Sequence, residues 1–452
     1  MNSEQQYIDL YHAQRELICK HSIAAMNAVR DAAMQAFEQQ GFPSLKDERY
    51  RYTDVAAAFA PDYGMNLARI NIPVNPREVF KCDVPNLSTH LAYVVNDQPV
   101  IDRAIPFVCS LREAQEQHPD ILEKYYAKTF RENVSNPSQA AQRESLRGEA
   151  LLNTALAQDG LLIYVPRNQR MERPLQVVNI LRSGVDMMVN RRVLIVLEEG
   201  ADATVLFCDH AMDRMSFLTT QVIEVFCADN SRLDLYELEE THTACHRFSN
   251  VLMEVGRDCV VSHNNITLFN GQTRNTTDVV LQGEHSEITL NGCVVADKNQ
   301  QVDNNTLIDH SVPNCTSHEL YKYVVDDTAV GAFAGKILVR PDAQKTSSQE
   351  TNANLCASSD ARMYTQPMLE IYADDVKCAH GSTVGKLDDS ALFYMRQRGI
   401  DESEARMLLK NAFVGQVVDE IRLVPLRDRL HYLVEKRFRG ELNKCTGCAI
   451  CK

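Results

Sequence analysis

Hydrophobic and polar residues alternate with helical spacing at the start of the chain. Over the first forty residues, apolar side chains recur at this spacing from Ile18 to Phe37. Gly41 and Pro43 follow where such a helix would end. The pattern therefore predicts one helix that stops at Gly41.

The next part of the chain has a mixed pattern. A short strand is predicted at 91–95, and helical stretches are predicted around 112–130 and 142–158. Neither the strand-like alternation nor the helical spacing continues for long in this part of the chain. We expect this stretch to belong to an N-terminal helical and mixed domain over 1–165.

From about 170 to 385, short apolar and β-branched runs recur between turn residues, with no long helical pattern. Four related phrases have turn residues 30, 26 and 27 residues apart, at Gly200, Asn230, Gly256 and Gly283. Such a short unit cannot bury its own apolar face, so successive units must stack. The pattern favours a parallel β-helix over 166–385, with Asn264–Asn265 and Asn304–Asn305 as stacked amides at its corners. A β-sandwich is the alternative.

Helical spacing returns at the end of the chain. Three helices are predicted, at 388–399, 401–421 and 425–440, the second with Asp401 as its N-cap. The second helix has a wide apolar stripe, made of Ala405, Leu408, Leu409, Ala412, Phe413 and Val417. Such a stripe packs either within the chain or against a partner. We expect a C-terminal helical domain over 386–440 and a tail over 441–452.

Composition and charge narrow the class of protein. Of the 452 residues, 44% are hydrophobic and 24% are charged, as in ordinary globular proteins. There is no long apolar run and no signal-peptide pattern, so we expect a cytoplasmic protein with no membrane partner. The net charge of −14 argues against a nucleic-acid partner. A basic cluster is interpreted first as a solvated helix face; it comprises Arg427, Arg429, Lys436, Arg437, Arg439 and Lys444.

The chain has 14 cysteines, and most lie in apolar, strand-like runs. These are predicted to be core thiols in a reducing compartment; examples are Cys208, Cys227, Cys259 and Cys293. Two places depart from this pattern. One is Cys378 in VKCAHG, and the other is the terminal trio Cys445, Cys448 and Cys451.

Two long stretches resemble a known family. GKILVRPDAQKTSSQETNANL begins at Gly335, and PMLEIYADDVKCAHGSTVGKLDDSALFYMRQRGI begins at Pro367. Together they resemble the signature region of the SufB/SufD family of iron–sulfur cluster assembly proteins, and DDVKCAHGSTVG is similar to the SufD form. Weaker similarities at Asp47, Leu152 and His318 extend the resemblance over nearly the whole chain. The N-terminal motif lacks a Trp that is common in the family, because this chain has none.

The resemblance implies a mainly β protein with α, in which helical domains flank a right-handed parallel β-helix. It implies a scaffold subunit, not an enzyme in its own right, that pairs with a SufB-like subunit through the β-helix edges. It also implies docking of a SufC-type ABC ATPase on the C-terminal helices, and the expected contact residues are Leu392, Phe393, Leu408, Leu409 and Phe413. The chain has no G-x-x-x-x-G-K-[ST] loop, so ATP would bind to that partner. The family pairing also allows a homodimer.

Cys378 and His380 are the candidate iron ligands. Two residues apart on a strand, they point to the same side, and thiolate and imidazole both bind iron. Asp374 and Asp375 precede them and can orient an imidazole or attract a cation. From the residues alone, a buried Cys beside a hydrogen-bonded His is favoured over a metal site. The resemblance favours His380, because the matching His of the family lies at the SufB–SufD interface where a nascent cluster forms. It leaves Cys378 open between ligand and structural thiol.

The terminal CTGCAIC is not part of the usual SufD pattern. It resembles the opening of a bacterial ferredoxin motif, which needs a further Cys. Cys445, Cys448 and Cys451 therefore provide three thiolates, and a fourth ligand would have to come from elsewhere. A reduced, mobile tail is the alternative. We expect no stably bound cofactor in this chain alone, only transient iron or an iron–sulfur cluster in the complex.

Two other functional classes are weighed. A carbohydrate-active β-helix enzyme would use paired carboxylates such as Asp326–Asp327 or Asp374–Asp375, but the chain has no Trp for sugar stacking. A free-standing iron–sulfur electron carrier would need a full ligand set. Within the leading interpretation, the sequence leaves open whether the chain delivers iron, supplies a cluster ligand or positions the ATPase.

Overall fold

A computed structural model describes residues 3–76, 84, 86–135 and 147–441. Its N-terminal part is helical and mixed, with elements α1 (Ser3–Lys20), α2 (Ala24–Gln40), a 3-10 turn (Glu48–Tyr50), α3 (Val55–Ala58), β1 (His90–Val95), β2 (Gln98–Val100), β3 (Val108–Ser110), α4 (Leu111–Gln117), α5 (Pro119–Tyr125), α6 (Lys128–Ser135) and α7 (Glu149–Leu156). The strand predicted at 91–95 is confirmed as β1.

The central part consists of strands only, and three helices follow it. The strands are β4 (Leu161–Val165), β5 (Leu175–Leu181), β6 (Met187–Leu197), β7 (Asp202–Ala211), β8 (Phe217–Cys227), β9 (Arg232–Glu240), β10 (Cys245–Val255), β11 (Val260–Phe269), β12 (Gln272–Leu281), β13 (Glu287–Ala296), β14 (Gln301–His310), β15 (Thr316–Val325), β16 (Val330–Val339), β17 (Ser347–Cys356), β18 (Arg362–Ile371) and β19 (Lys377–Gly385). The helices are α8 (Asp389–Gln397), α9 (Glu402–Asp419) and α10 (Val424–Phe438).

Successive central strands alternate between two sheets. Sheet 1 has the order β19-β17-β15-β13-β11-β9-β7-β5-β1-β2, and sheet 2 has the order β18-β16-β14-β12-β10-β8-β6-β4-β3. From β4 onward each strand pairs in parallel with the strand two places later. The chain therefore forms a parallel β-solenoid of about eight turns, which confirms the predicted β-helix and excludes the β-sandwich.

One turn of each coil has a residue in the left-handed region of backbone space. These residues stack in a column along the solenoid: Asn168, Gly200, Asn230, Asp258, His285, Asn314 and Lys345. The N–H of Gly200 donates to the carbonyl of Asp229 on the next coil at 2.9 Å. The predicted turn positions Gly200 and Asn230 are thus confirmed as left-handed. Gly256 and Gly283 precede the left-handed residue by two positions, and they are small because the neighbouring coil backbone lies against them.

Inside the solenoid the core is part apolar and part polar. Toward one side of the lumen, apolar residues from both sheets pack together, including Val205, Leu235 and Met253. Toward the other side, polar side chains form hydrogen bonds both along the axis and between the two sheets. Asn275 donates to Asn265 at 3.1 Å and to Asn304 at 2.9 Å. The predicted amide contacts therefore exist, but these residues lie within strands and not at corners.

The N-terminal domain covers the outer face of sheet 2. Side chains from α1, α2 and α7 pack there in one cluster with residues of β6, β8 and β10, such as Leu194, Leu218 and Phe248. Polar contacts add to this packing, since Arg49 forms an ion pair with Asp278 at 2.7 Å. The N-terminal helices are therefore attached directly to the solenoid.

The predicted N-terminal helix is in fact two helices. The chain leaves helical geometry at 21–23, with Ile23 extended, and α2 then ends at Gly41 as predicted, where φ is 64°. Both helices bury apolar residues in the same cluster, Ile18 from α1 and Phe37 from α2. The stretch predicted at 112–130 is likewise divided into α4, α5 and α6.

The C-terminal helices cover the outer face of sheet 1. Leu430 and Val418 pack in one cluster with outward side chains of the solenoid such as Leu238. Arg437, predicted to lie on a solvated face, is instead only 6% exposed and binds the solenoid. In the described part of the chain, no helix combines the length and apolar character needed to cross a membrane.

Candidate functional site

Cys378 and His380 lie on β19, the last strand of sheet 1. Their register partners on β17 are Ser348 and Glu350, which are buried inside the solenoid. Paired residues of parallel strands face the same side, so both candidate ligands face the lumen. No further coil covers them among the described residues, and Cys378 is half-buried while His380 is exposed. The two predicted ligands therefore lie together at the open end of the solenoid.

Cys378 has an apolar environment. It packs against the cluster that contains Ile337, Val339 and Ala373. Burial raises the pKa of the Cys378 thiol, so the thiolate that binds metal is disfavoured at neutral pH. This environment suits a structural thiol, or a ligand that loses its proton only when a metal binds.

Asp375, one of the two aspartates before this strand, does not orient the imidazole as the sequence suggested. Asp375 forms an ion pair with Lys345 across the turn. Its backbone N–H donates to the side-chain oxygen of Gln344 at 2.9 Å. These contacts involve the turn that leads into β19, and they direct Asp375 toward the preceding coil instead of toward His380.

The open end is incomplete as a metal site. Within the described ranges, no three or more His, Cys, Asp and Glu side chains are grouped to hold a metal ion. Cys378 and His380 thus provide two ligands at most. An iron ion or cluster at this position would need ligands beyond these two.

Apolar side chains surround the open end. Tyr372 is 63% exposed and Val384 is 50% exposed, and Ile371 on the last strand of sheet 2 is also exposed. The last strands β18 and β19 each have a paired neighbour on one side only within the described structure. An exposed strand edge with apolar side chains is a typical surface for pairing with another chain.

The predicted ATPase-contact residues have different environments. Phe393 and Leu408 are exposed, at 64% and 39%. Leu409 and Phe413 are half-buried, and the Phe413 ring lies 4.5 Å from the Lys322 ammonium. Leu392 is only 6% exposed. Phe393 and Leu408 are therefore the members of this set that a partner can reach.

The apolar stripe predicted for the second C-terminal helix divides between the two contacts that the sequence left open. Ala405 and Val417 are buried within the chain, and Leu408 and Ala412 face outward. Toward the solenoid the helix packs Val414 and Val418, and Met407 is also buried. The rotation of the helix follows from its contact with sheet 1, which the helical pattern alone does not specify.

Two other sequence predictions concern residues outside this site. The tail cysteines Cys445, Cys448 and Cys451 lie outside the described residues. Asp326, considered as a glycosidase carboxylate, forms an ion pair with Lys410 on α9. Its contact therefore attaches the helical domain to the solenoid.

The sequence analysis missed the charged groups inside the lumen. Arg247 forms ion pairs with Asp209 and Glu237 and donates a hydrogen bond to Glu237, and His263 lies 2.9 Å from Glu237. The signal was present as polar residues at alternate positions of predicted strands, where a buried strand should be apolar. Glu319 and Glu350 belong to the same missed class.

Comparison with known proteins adds independent information. A family model described as "SUF system FeS cluster assembly, SufBD core domain" matches residues 180–413, and one described as "SufBD protein N-terminal region" matches residues 1–177. The chain is 32% identical over 292 residues to the iron–sulfur cluster assembly protein SufD of Escherichia coli, which covers 64% of this chain and 69% of that protein. It is 26% identical over 355 residues to SufD of Bacillus subtilis, which covers 77% of each. These matches confirm the resemblance stated from the motifs.

Proposed function

The chain belongs to the SufBD family of the SUF system for iron–sulfur cluster assembly, and on that premise we propose that it is a SufD-type scaffold subunit. In this role it does not turn over a substrate alone. It positions a partner subunit, an ATPase and nascent iron–sulfur material relative to one another. The open end of the solenoid, with Cys378 and His380 in its lumen, is the observation that supports this proposal most directly.

The SufB-like partner would pair with the open end. Strands β18 and β19 have backbone groups available along one edge, and Tyr372 and Val384 provide exposed apolar surface beside them. Edge pairing supplies backbone hydrogen bonds, and the apolar side chains add buried area. The same edge would serve a homodimer when the SufB-like subunit is absent.

The SufC-type ATPase would dock on the helical domain. Phe393 and Leu408 are exposed there, on helices of a domain that packs against sheet 1. A rigid attachment of these helices lets movement of the ATPase act on the solenoid. In this arrangement ATP hydrolysis stays with the partner.

Iron or a nascent cluster is cargo at the open end. His380 would provide one ligand, with Cys378 two residues away on the same strand, and the SufB-like subunit would complete the set. We also propose a cytoplasmic location. The cysteines in the described part of the chain are thiols and form no disulfide, which suits a reducing compartment.

Anaerobic co-expression with a SufB-like subunit and a SufC-type ATPase tests the docking. We expect the tagged chain to recover both partners. Phe393→Asp with Leu408→Asp should lose the ATPase and keep the SufB-like subunit, because both side chains are exposed and the fold does not depend on them. Val185→Asp, at a position 58% exposed and away from the helices, is the matched control. Retention of the ATPase by the double variant would show that it docks elsewhere.

Iron and sulfide measured in the same purified complex test the ligand role. His380→Ala should leave the complex intact and lower its iron and sulfide content. His318→Ala is the control, since His318 is exposed on the outer face of β15. Equal iron content in the two variants would remove His380 from the ligand set.

A further inference from the structure

Two glutamates lie next to each other inside the last coils of the solenoid. Glu319 on β15 is the register partner of Glu350 on β17. Adjacent strands of a sheet are about 4.8 Å apart, so the two side chains start from neighbouring positions. Glu319 is 2% exposed and Glu350 is 1% exposed. The solenoid therefore holds two carboxyl groups side by side, away from bulk water.

The facing sheet leaves space for these groups. Gly335 lies on β16, and a side-chain carbon at this position would lie only 2.6 Å from Oε1 of Glu350. Thr306 on β14 is the register partner of Gly335. Burial raises the pKa of the Glu319 carboxyl, and the nearby Thr306 hydroxyl lowers that pKa by a smaller amount. The absence of a side chain at Gly335 thus makes the space that the Glu350 carboxyl fills.

The oxygen atoms at this place lack hydrogen-bond partners. Among the described residues, no hydrogen-bond partner is found for the two carboxylate oxygens of Glu319, the two carboxylate oxygens of Glu350 or the hydroxyl oxygen of Thr306. Thr306 is near Glu319 but not in hydrogen-bond geometry with it. Buried polar atoms are nearly always paired, so five unpartnered oxygen atoms in one place are suited to hold a bound water or ion.

Their charge is also uncompensated. Burial raises the pKa of both carboxyl groups, and the charge of Glu319 raises that of Glu350 further. The groups that shift these two pKa values, in the part of the chain described, include no Lys or Arg. By contrast, the buried Glu237 has Arg247 beside it at 2.5 Å. Two adjacent carboxylates in a dry interior need either protons or a cation.

We propose that Glu319 and Glu350, together with the Thr306 hydroxyl, bind one hard divalent cation of the class of Mn²⁺ or Fe²⁺. Carboxylate and hydroxyl oxygens are the ligands that such cations accept, and small divalent cations commonly keep several waters beside two carboxylates. Bound water would therefore complete the coordination shell. The cation would neutralise the pair and give each oxygen a partner.

The site lies one coil from the open end. Glu350 is the register partner of His380, which is exposed there. In sheet 1, β19 is the one described strand between Glu350 and the open end, so a cation would have a short path to the site. This inference deepens the iron-handling part of the proposed function, since Fe²⁺ is such a cation. It does not depend on the proposed partners.

Titration of the metal-stripped full-length chain with Mn²⁺ tests the site, with free Mn²⁺ followed by electron paramagnetic resonance. We expect one Mn²⁺ per chain at this site. Glu319→Gln and Glu350→Gln should each weaken binding by at least about tenfold, because loss of even a supporting group commonly costs about 10–100-fold in affinity. Glu287→Gln, on the exposed first residue of β13, should bind as the unchanged chain does.

Gly335→Ala provides a second variant that keeps every ligand. Its new methyl group would displace the Glu350 carboxyl, so Mn²⁺ binding should again weaken. Circular dichroism verifies folding, which the Gln variants should retain because they remove an uncompensated buried charge. Equal Mn²⁺ affinity in the Gln variants and the Glu287→Gln control would overturn the proposal, as would no Mn²⁺ binding by the unchanged chain. Either result would leave the partner recovery experiment unaffected.

Discussion

Removal of the Arg437 side chain should loosen the last helix from the solenoid. Arg437 is on α10 and is only 6% exposed. Its guanidinium donates to the carbonyl of Leu268 at 2.6 Å, to Asp297 at 2.6 Å and to the side-chain oxygen of Gln300 at 2.9 Å. One side chain therefore joins the helical domain to β11 and to the turn after β13.

The size of the effect follows from what Arg437→Ala leaves behind. A hydrogen bond to a charged group contributes about 1.5–3 kcal/mol, and breaking a fully buried ion pair costs about 3–5 kcal/mol. The Asp297 side chain is 26% exposed, so water can partly replace the guanidinium. The backbone N–H of Asp297 also still donates to Gln300. We therefore expect a loss of about 2–4 kcal/mol in the local stability of α10.

Hydrogen exchange of the α10 amides measures this loss. A change of about 2–4 kcal/mol corresponds to roughly 30- to 900-fold faster exchange when opening is local. Arg439→Ala is the matched control, because Arg439 directly follows the same helix. Its side chain is 39% exposed and forms ion pairs with Glu404 and Glu435. Such exposed pairs contribute little to stability, because water screens them. The exchange rate in Arg437→Lys should lie between those of the two alanine variants. Lysine keeps the positive charge but lacks the several N–H donors of the planar guanidinium.

The reasoning is refuted if the two alanine variants speed α10 exchange equally. It is also refuted if exchange in Arg437→Ala rises over the whole solenoid to the same extent as in α10. The second result would mean that the helix and the solenoid unfold together, so that no separate attachment exists to be weakened.

Two further predictions concern the solenoid interior. Gly292→Ala should lower the melting temperature, because its new carbon would overlap the Tyr321 ring. Gly381→Ala is the control and should leave the melting temperature unchanged, since there is open space around Gly381. Equal melting temperatures of the two variants would contradict this prediction. The second prediction concerns the buried Glu237. Burial raises the pKa of its carboxyl, but Arg247 and His263 lower that pKa more, to about 2. This carboxylate should therefore stabilise the fold above its unfolded pKa of about 4.3 and lose that contribution as the pH falls toward 2. Melting curves should show a smaller loss below pH 4 in Glu237→Gln, and an unchanged loss would refute the assignment.

The sequence predicted the solenoid because its signals are local. Turn residues about one coil apart and β-branched runs between them are visible without any contact information. The positions of Gly200 and Asn230 were correct for the same reason, since the left-handed turn needs a suitable residue there. At Gly256 the reason for glycine is different, because the backbone of the neighbouring coil lies against it. Local pattern does not separate these two uses of glycine.

The helical domain shows the limit of periodicity. Its three helices were predicted near their observed positions, since caps and breaks are encoded nearby in the chain. For α9, the pattern predicted an apolar stripe but left open whether it packs within the chain or against a partner. A helix with several apolar residues on each face can pack in more than one orientation. Contact with sheet 1 selects the orientation that α9 adopts.

The sequence by itself determined the fold class, the family and the two ligand candidates on one strand, because each depends on residues close together in the chain. Only the tertiary structure decided that His380 lies at an open end and that Glu319, Glu350 and His380 follow one another on successive coils. These residues are about thirty positions apart, and their contact depends on the register of parallel strands. That register is set by the length of every turn and strand between them, which no short motif contains.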